Sequence, residues 1–398
     1  MENTLIGKRS LMILSITGFL TSLEVGFTTY IDSSYLSRAL SQYTSTPDRL
    51  VGYIFAATAA LALLYFIVAP KILRRFGNTN VTLFAASTLP VALFAISMPL
   101  HIIPKILTYL LMTLDTTMIY AGLDIYISRY VSEEKMGVLH GVFFAILSLG
   151  FMLSPALSGY IASGYALHYV YIAAALSALP IPFFIRYAFK SFKDPHYDDV
   201  PLVISKRLHE LTPDLFPVFS AQFALQTFYV MMTIYVPLYF VEHIGFTYDR
   251  FGYIITMALA MFVILPTPYG WLADKFIGEK EMIITGMVVM GATLIAIPFF
   301  AETQQTFFFW ALLLIISRIG ATATESMADA FFFKRIEYAH PSLIAFYRRA
   351  RPLAWLIVPT IGATLLTLQI IDISSLLAVS GVAIIGMIAL TAKLRDTL

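Results

Sequence analysis

Eight ionisable residues sit where a solvated side chain is out of place. Glu24, Asp115, Arg318, Glu325 and Asp329 fall inside apolar runs about as long as a bilayer is thick, and Arg348, Arg349 and Arg351 open another such run. Charge at that depth is costly to insert and persists where it faces a cavity or a partner. The chemistry on offer is proton exchange, ion pairing and anion binding. Glu24 lies about 14 residues into its run, near mid-membrane, with Thr21 and Thr28 close to its face. A carboxyl there can alternate between a proton and a substrate and so couple two fluxes; the competing reading is a hydrogen-bonded packing glutamate. Asp115 lies at comparable depth and is expected to share a cavity with Glu24. Asp124, nine residues on and about 180° around the helix, belongs to another surface and is expected to pair near Arg129. Asp32, at the outer end of the first run, reads as solvated.

Arg318, Glu325 and Asp329 are seven and four residues apart. At about 100° per residue all three fall on one helical stripe, with Thr322 beside it. Lipid cannot solvate such a stripe, so it faces water or polar groups. Depth counting sets Asp329 near Arg348 and Glu325 near Arg351. Either these charges pair and fix a helix hairpin, or they form a cavity site or gate whose pairs break and reform. Three arginines against two carboxylates leave one positive charge over, which an anionic substrate group or a lipid phosphate would match.

The elements that hold these residues are membrane spans. Of 398 residues, 59% are hydrophobic and 13% charged, about half the charge of a soluble domain. Apolar stretches recur near 10–31, 50–70, 80–100, 106–128, 137–162, 166–185, 215–241, 251–272, 282–301, 305–332, 343–368 and 372–392. The expected fold is an all-α membrane protein of twelve transmembrane helices. Lys8 and Arg9 before the first run resemble a signal peptide, but the run is long enough to span and reads as uncleaved. With the N-terminus inside, eighteen of the 26 basic residues fall in cytoplasmic segments and four in outer loops. That bias predicts both termini in the cytoplasm of a cell membrane, of the bacterial inner-membrane kind.

The charged segment 190–213 divides the chain into two six-helix bundles, 1–189 and 214–398. Within it, Val203–Leu211 could form an amphipathic surface helix or plain solvated linker. The halves repeat. Asp48-Arg49-Leu50-Val51-Gly52-Tyr53-Ile54 opens the second span and Asp249-Arg250-Phe251-Gly252-Tyr253-Ile254 the eighth. Asp124 and Arg129 match Asp329 and Lys334, and Pro155 matches Pro359. Three matches in order predict a duplicated, pseudo-symmetric unit.

This plan resembles the major facilitator superfamily. The sharpest local likeness is Gly270-Trp271-Leu272-Ala273-Asp274-Lys275-Phe276-Ile277-Gly278, close to the family's conformational loop motif, with one residue inserted before Gly278. In the first half, Arg75 and Gly77 fit that motif while Pro70 and Arg74 replace its Gly and Asp. Gly150, Pro155 and Gly159 resemble the Gly- and Pro-containing fifth helix of the family's exporters. The resemblance implies a cavity lined by the first, fourth, seventh and tenth helices, and an acidic first span of the kind found in drug–proton antiporters.

The composition excludes other classes. A net charge of +2 argues against nucleic acid, and the absence of cysteine removes disulfides, thiolate metal sites and cysteine nucleophiles. No phosphate-binding loop is present, and His209-Glu210 lacks the second histidine of a zinc motif. The expectation is a monomeric secondary transporter, not an enzyme, using no cofactor or metal, with protons and a small molecule as partners in a lipid bilayer. Export of an amphipathic compound leads; import of a polar or anionic metabolite, lipid flipping and a non-transporting receptor are the alternatives.

Overall fold

The computed structural model describes residues 2–130, 136–190, 192–197, 213–303, 306–335 and 341–395. All regular elements among these residues are helices. Eleven are long and apolar enough to cross a bilayer, and the bent pair Tyr248–Ile264 and Pro266–Ile277 makes a twelfth. The observed spans start and end within a few residues of the apolar runs, apart from the second and eighth, which run on to Phe76 and Ile277, and the fifth, whose described span starts at Ala145. The helix considered for Val203–Leu211 lies outside the described residues.

Proline chemistry accounts for the breaks. Pro266 and Pro268 supply no N–H to the eighth span, which bends there by 45°. Pro237 leaves the carbonyl of Thr233 without its i+4 donor, and the seventh span widens into π turns at Met231–Tyr235 and Tyr239–His243 on either side. Pro352 does the same to Arg348, and the eleventh span divides into Pro341–Arg348 and Ala350–Thr367.

The chain forms two compact units. One comprises Met1–Gln42, Ala60–Asp199 and Thr247–Tyr253, the other Tyr43–Ala59, Val200–Phe246 and Ile254–Leu398. Each thus includes the opening of a span whose remainder belongs to the other. Inside the first unit, small residues bring the first and fifth helices together. A Cβ on Gly150 would lie 2.7 Å from the Phe19 carbonyl oxygen, and Ser154 Oγ donates to the Leu23 carbonyl at 2.9 Å. Inside the second unit Gly286 and Gly320 face each other, and a Cβ on either would meet the other's carbonyl oxygen at 2.5 and 2.8 Å. Backbone approach of this kind gives dispersion contact where lipid supplies no hydrophobic drive.

The repeated Gly-Tyr-Ile segments pack alike. Gly52 lies against Pro359 and Gly252 against Pro155, with no room for a side chain at either. The turns that join the second span to the third, and the eighth to the ninth, are also a matched pair. Gly77 has φ 76° and ψ 151°, and Gly278 has φ 84° and ψ 155°, a conformation that glycine alone adopts without strain. The first turn is closed from elsewhere in the chain: Asp194 Oδ1 accepts from the Asn78 N–H at 2.7 Å and from the Tyr197 hydroxyl at 2.5 Å. Arg74 donates to the Tyr197 carbonyl at 2.7 Å. The stretch 192–197, expected as the start of a free linker, is therefore docked on the first unit.

Candidate functional site

Two groups of buried polar residues stand out, one in each unit. In the first unit Glu24 and Asp115 are each only 1% exposed. Glu24 Oε2 and both Asp115 carboxyl oxygens have no hydrogen-bond donor among the described residues. The hydroxyls of Thr116 and Thr88, which lie beside Glu24 and Asp115 respectively, also donate to the Met112 and Phe84 carbonyls, each at 3.0 Å. The two acids lie within electrostatic reach of each other. An ionised carboxylate without donors is strongly disfavoured in such surroundings. These oxygens are therefore placed to take a proton or a cationic group that comes from outside the packing. Asp124 is exposed on another face of the fourth helix; the side chain of Arg129, its expected partner, is outside the described residues.

Asp32 departs from expectation. It is 5% exposed, not solvated. Its carboxylate accepts from the Tyr171 hydroxyl at 2.6 Å and the Tyr109 hydroxyl at 3.4 Å. Burial pushes its pKa up to about 7, against the opposing effect of those hydrogen bonds. The short helix Asp32–Leu40, which follows the first span, folds the acid back under the bundle end.

The second unit presents three polar stripes. The tenth helix, Phe307–Arg335, carries Arg318, Thr322, Glu325 and Asp329. The seventh carries Gln222, Gln226 and Tyr229, spaced four and three residues apart. The eleventh carries Tyr347 before its break, and Arg351 and Trp355, four residues apart, after it. Each spacing returns to one helical face, and hydrogen bonds join the faces. The Tyr229 hydroxyl donates to Glu325 Oε2 at 2.8 Å, and that of Tyr347 to Asp329 Oδ1 at 2.7 Å. Tyr347 also approaches Gln222 Oε1 at 3.4 Å, and Trp355 Nε1 donates to Gln226 Oε1 at 3.2 Å. Phe332 stacks on Tyr347, ring centroids 4.2 Å apart, and fixes its orientation.

The arginines surround these acids at longer range. Arg318 is 1% exposed, its guanidinium 5.2 Å from the centre of the Phe228 ring. It and Arg351 act electrostatically on Glu325, and Arg348 acts on Asp329. Arg348 and Arg351 are exposed and Arg349 is half-buried at the helix break. Glu325 and Asp329 are half-buried, so the stripe reaches accessible space. Tyrosines, rather than the arginines alone, hold the acids in place. Buried charge alone does not point to Gln222, Gln226 and Trp355 in the sequence; the regular polar spacing in the seventh span is the available signal.

The loop-motif residues form a separate cluster. Lys334 Nζ contacts Asp274 Oδ1 at 2.7 Å and Glu279 Oε1 at 2.5 Å, tying the end of the tenth helix to both sides of the Gly278 turn. Lys275 lies over the Trp271 ring, 5.5 Å from its centre. Gly270 has open space where a Cβ would project. Among the described residues no group of three or more His, Cys, Asp or Glu side chains could hold a metal ion.

Comparison with known proteins agrees with this architecture. The sequence model of the Major Facilitator Superfamily matches residues 218–397. No curated protein matches the sequence. Among solved structures, a peptide transporter POT in complex with sulfate superimposes with a TM-score of 0.77 at 12% identity, over 96% of this chain and 93% of that one. A POT family transporter in complex with a thioalcohol-conjugated peptide gives 0.75 at 13% identity, over 96% and 95%. Another, in complex with 5-aminolevulinic acid, gives 0.76 at 12%, over 96% and 95%. The C-terminal half thus carries the sequence pattern of the major facilitator superfamily, and the chain as a whole shares the multi-pass helical fold of these solved structures.

Proposed function

We propose that this protein is a proton-coupled secondary transporter that works by alternating access and exports an amphipathic small molecule. The observation that carries the reading is the pair of acids, Glu24 and Asp115, buried within the spans of the first unit, where Glu24 Oε2 and both Asp115 carboxyl oxygens have no donor among the described residues. A carboxyl that has no partner in the resting fold gains one only by binding a proton or a substrate cation. If one group can take either but not both, the two fluxes are exchanged. Within the second unit, the stripe of the tenth helix supplies a polar surface and the partly exposed rings of Tyr229 and Trp355 supply apolar contact for a substrate. In this reading both termini are cytoplasmic, the protein resides in the cell membrane, and it works as a monomer.

A second reading is uptake of a polar, peptide-like solute. The amides Gln222 and Gln226 and the mixed charges of the second unit favour it, as does the likeness in fold to peptide transporters. Reconstituted liposomes separate the two. A pH gradient across the membrane should drive solute out of the proton-poor side for an exporter, and into it together with protons for an importer. Glu24→Gln should abolish proton-driven flux by at least about tenfold while substrate counterflow continues, since each tenfold corresponds to about 1.4 kcal/mol of lost coupling. Undiminished pH-driven flux in Glu24→Gln would remove that residue, and the coupling scheme with it.

A further inference from the structure

The end of the first unit that carries Asp32 holds a cleft unrelated to the acids above. Its volume is about 670 Å³, and its walls come from the short helix Asp32–Leu40, the turn before the fourth span and the turn between the fifth and sixth. Three of its lining residues, Arg38, Lys105 and His168, are basic, and none is acidic.

Lys105 is the unusual member. It is only 9% exposed. Its Nζ donates to the Tyr35 hydroxyl oxygen at 2.9 Å and lies 4.7 Å from the centre of the Tyr35 ring. That hydroxyl spends its own proton on the Ile96 carbonyl, at 2.6 Å. The nearby acid Asp32 is engaged by Tyr171 and Tyr109 instead, and among the described residues no carboxylate lies at ion-pair distance from Lys105. One ammonium hydrogen is satisfied by a neutral oxygen; no anion offsets the charge. A buried ammonium of this kind is disfavoured by several kcal/mol unless a counter-charge joins it. Lys105 also occupies the first turn of the helix Ile102–Tyr130, where the helix dipole opposes positive charge and attracts negative. Both effects are relieved by the same ligand.

We propose that this cleft binds an anionic group, a phosphate or carboxylate, with Lys105 as the central ligand and Arg38 and His168 on the surrounding wall. The volume suits a small organic anion or the headgroup of an anionic lipid, and the chemistry recognised is common to both. The site is independent of the proton-coupling scheme, because it uses none of the same residues.

The test is thermal unfolding of the full chain under two conditions. In neutral detergent, inorganic phosphate or citrate is titrated; in nanodiscs, phosphatidylcholine alone is compared with phosphatidylcholine containing phosphatidylglycerol. Saturable stabilisation by phosphate or citrate identifies a free anion, and stabilisation by phosphatidylglycerol alone identifies a lipid headgroup. In either case Lys105→Met should weaken the effect by about tenfold or more, the size expected for one hydrogen bond to a charged group. Arg38→Gln should weaken it in the same direction and serves if Lys105→Met does not fold. Lys71→Gln, an exposed lysine elsewhere in the same unit, should leave it unchanged. No stabilisation by any of these anions, or stabilisation that survives both cleft variants or is lost equally in Lys71→Gln, overturns the proposal.

Discussion

A carboxyl group reports its surroundings most directly through the pH at which it lets its proton go. Asp32 is a buried acid placed beyond the end of a span, at the start of the short helix that follows the first one. Its pKa is raised to about 7 from an ordinary 3.8, with burial as the main cause. Between those values the folded chain holds a proton that the unfolded chain releases. Stability contributed by this group is therefore complete below about pH 4 and declines as pH rises towards 7. The full effect is at most about 4 kcal/mol, from about 1.4 kcal/mol per pKa unit. Asp32→Asn should flatten the fall in melting temperature between pH 4 and 7 and should be more stable than the parent at pH 8. A parent protein whose melting temperature does not fall over that range would contradict the assignment. Residue types in the candidate sites were legible from sequence because buried charge is rare in an apolar run. Their partners were not: that Tyr229 meets Glu325 and Tyr347 meets Asp329 depends on the register between helices, which no single run encodes.

At the scale of helices, apolar length fixed the spans well because a bilayer imposes nearly the same length on each. The departures came from local backbone chemistry. Pro237, Pro266 and Pro352 were visible as letters, but whether a proline bends a helix, widens it or divides it depends on how the packing re-satisfies the freed carbonyl. The repeat was legible too, and its function in packing emerged only in three dimensions. Gly52 and Gly252 are the points at which one span opening lies flat on a proline-containing helix. Gly252→Leu should force the Pro155 segment away and destabilise the protein by about 1–3 kcal/mol, the usual range for overpacking. Gly245→Leu, at a position with open space, would also impose strain because φ is 82° there. Gly386→Leu, with open space in an ordinary helix, is therefore the proper control and should leave the melting temperature nearly unchanged. Equal losses in Gly252→Leu and Gly386→Leu would count against the close-packing account.

For the molecule as a whole, the absence of cysteine is an experimental opportunity. Any thiol introduced is the only one present, so its labelling reports one position. A cysteine at Lys71 and one at Gln42 lie at opposite ends of the first unit's spans, both exposed. In sealed vesicles of known orientation, a membrane-impermeant maleimide should label Gln42→Cys from the outside and Lys71→Cys only after permeabilisation. The reverse pattern would invert the proposed topology without disturbing the fold.

The contacts of Asp194 with Asn78 and Tyr197 tie residues 192–197 to the Gly77 turn of the first unit. One carboxylate thus anchors both the turn and the segment that leaves it, so that its loss would release the two together.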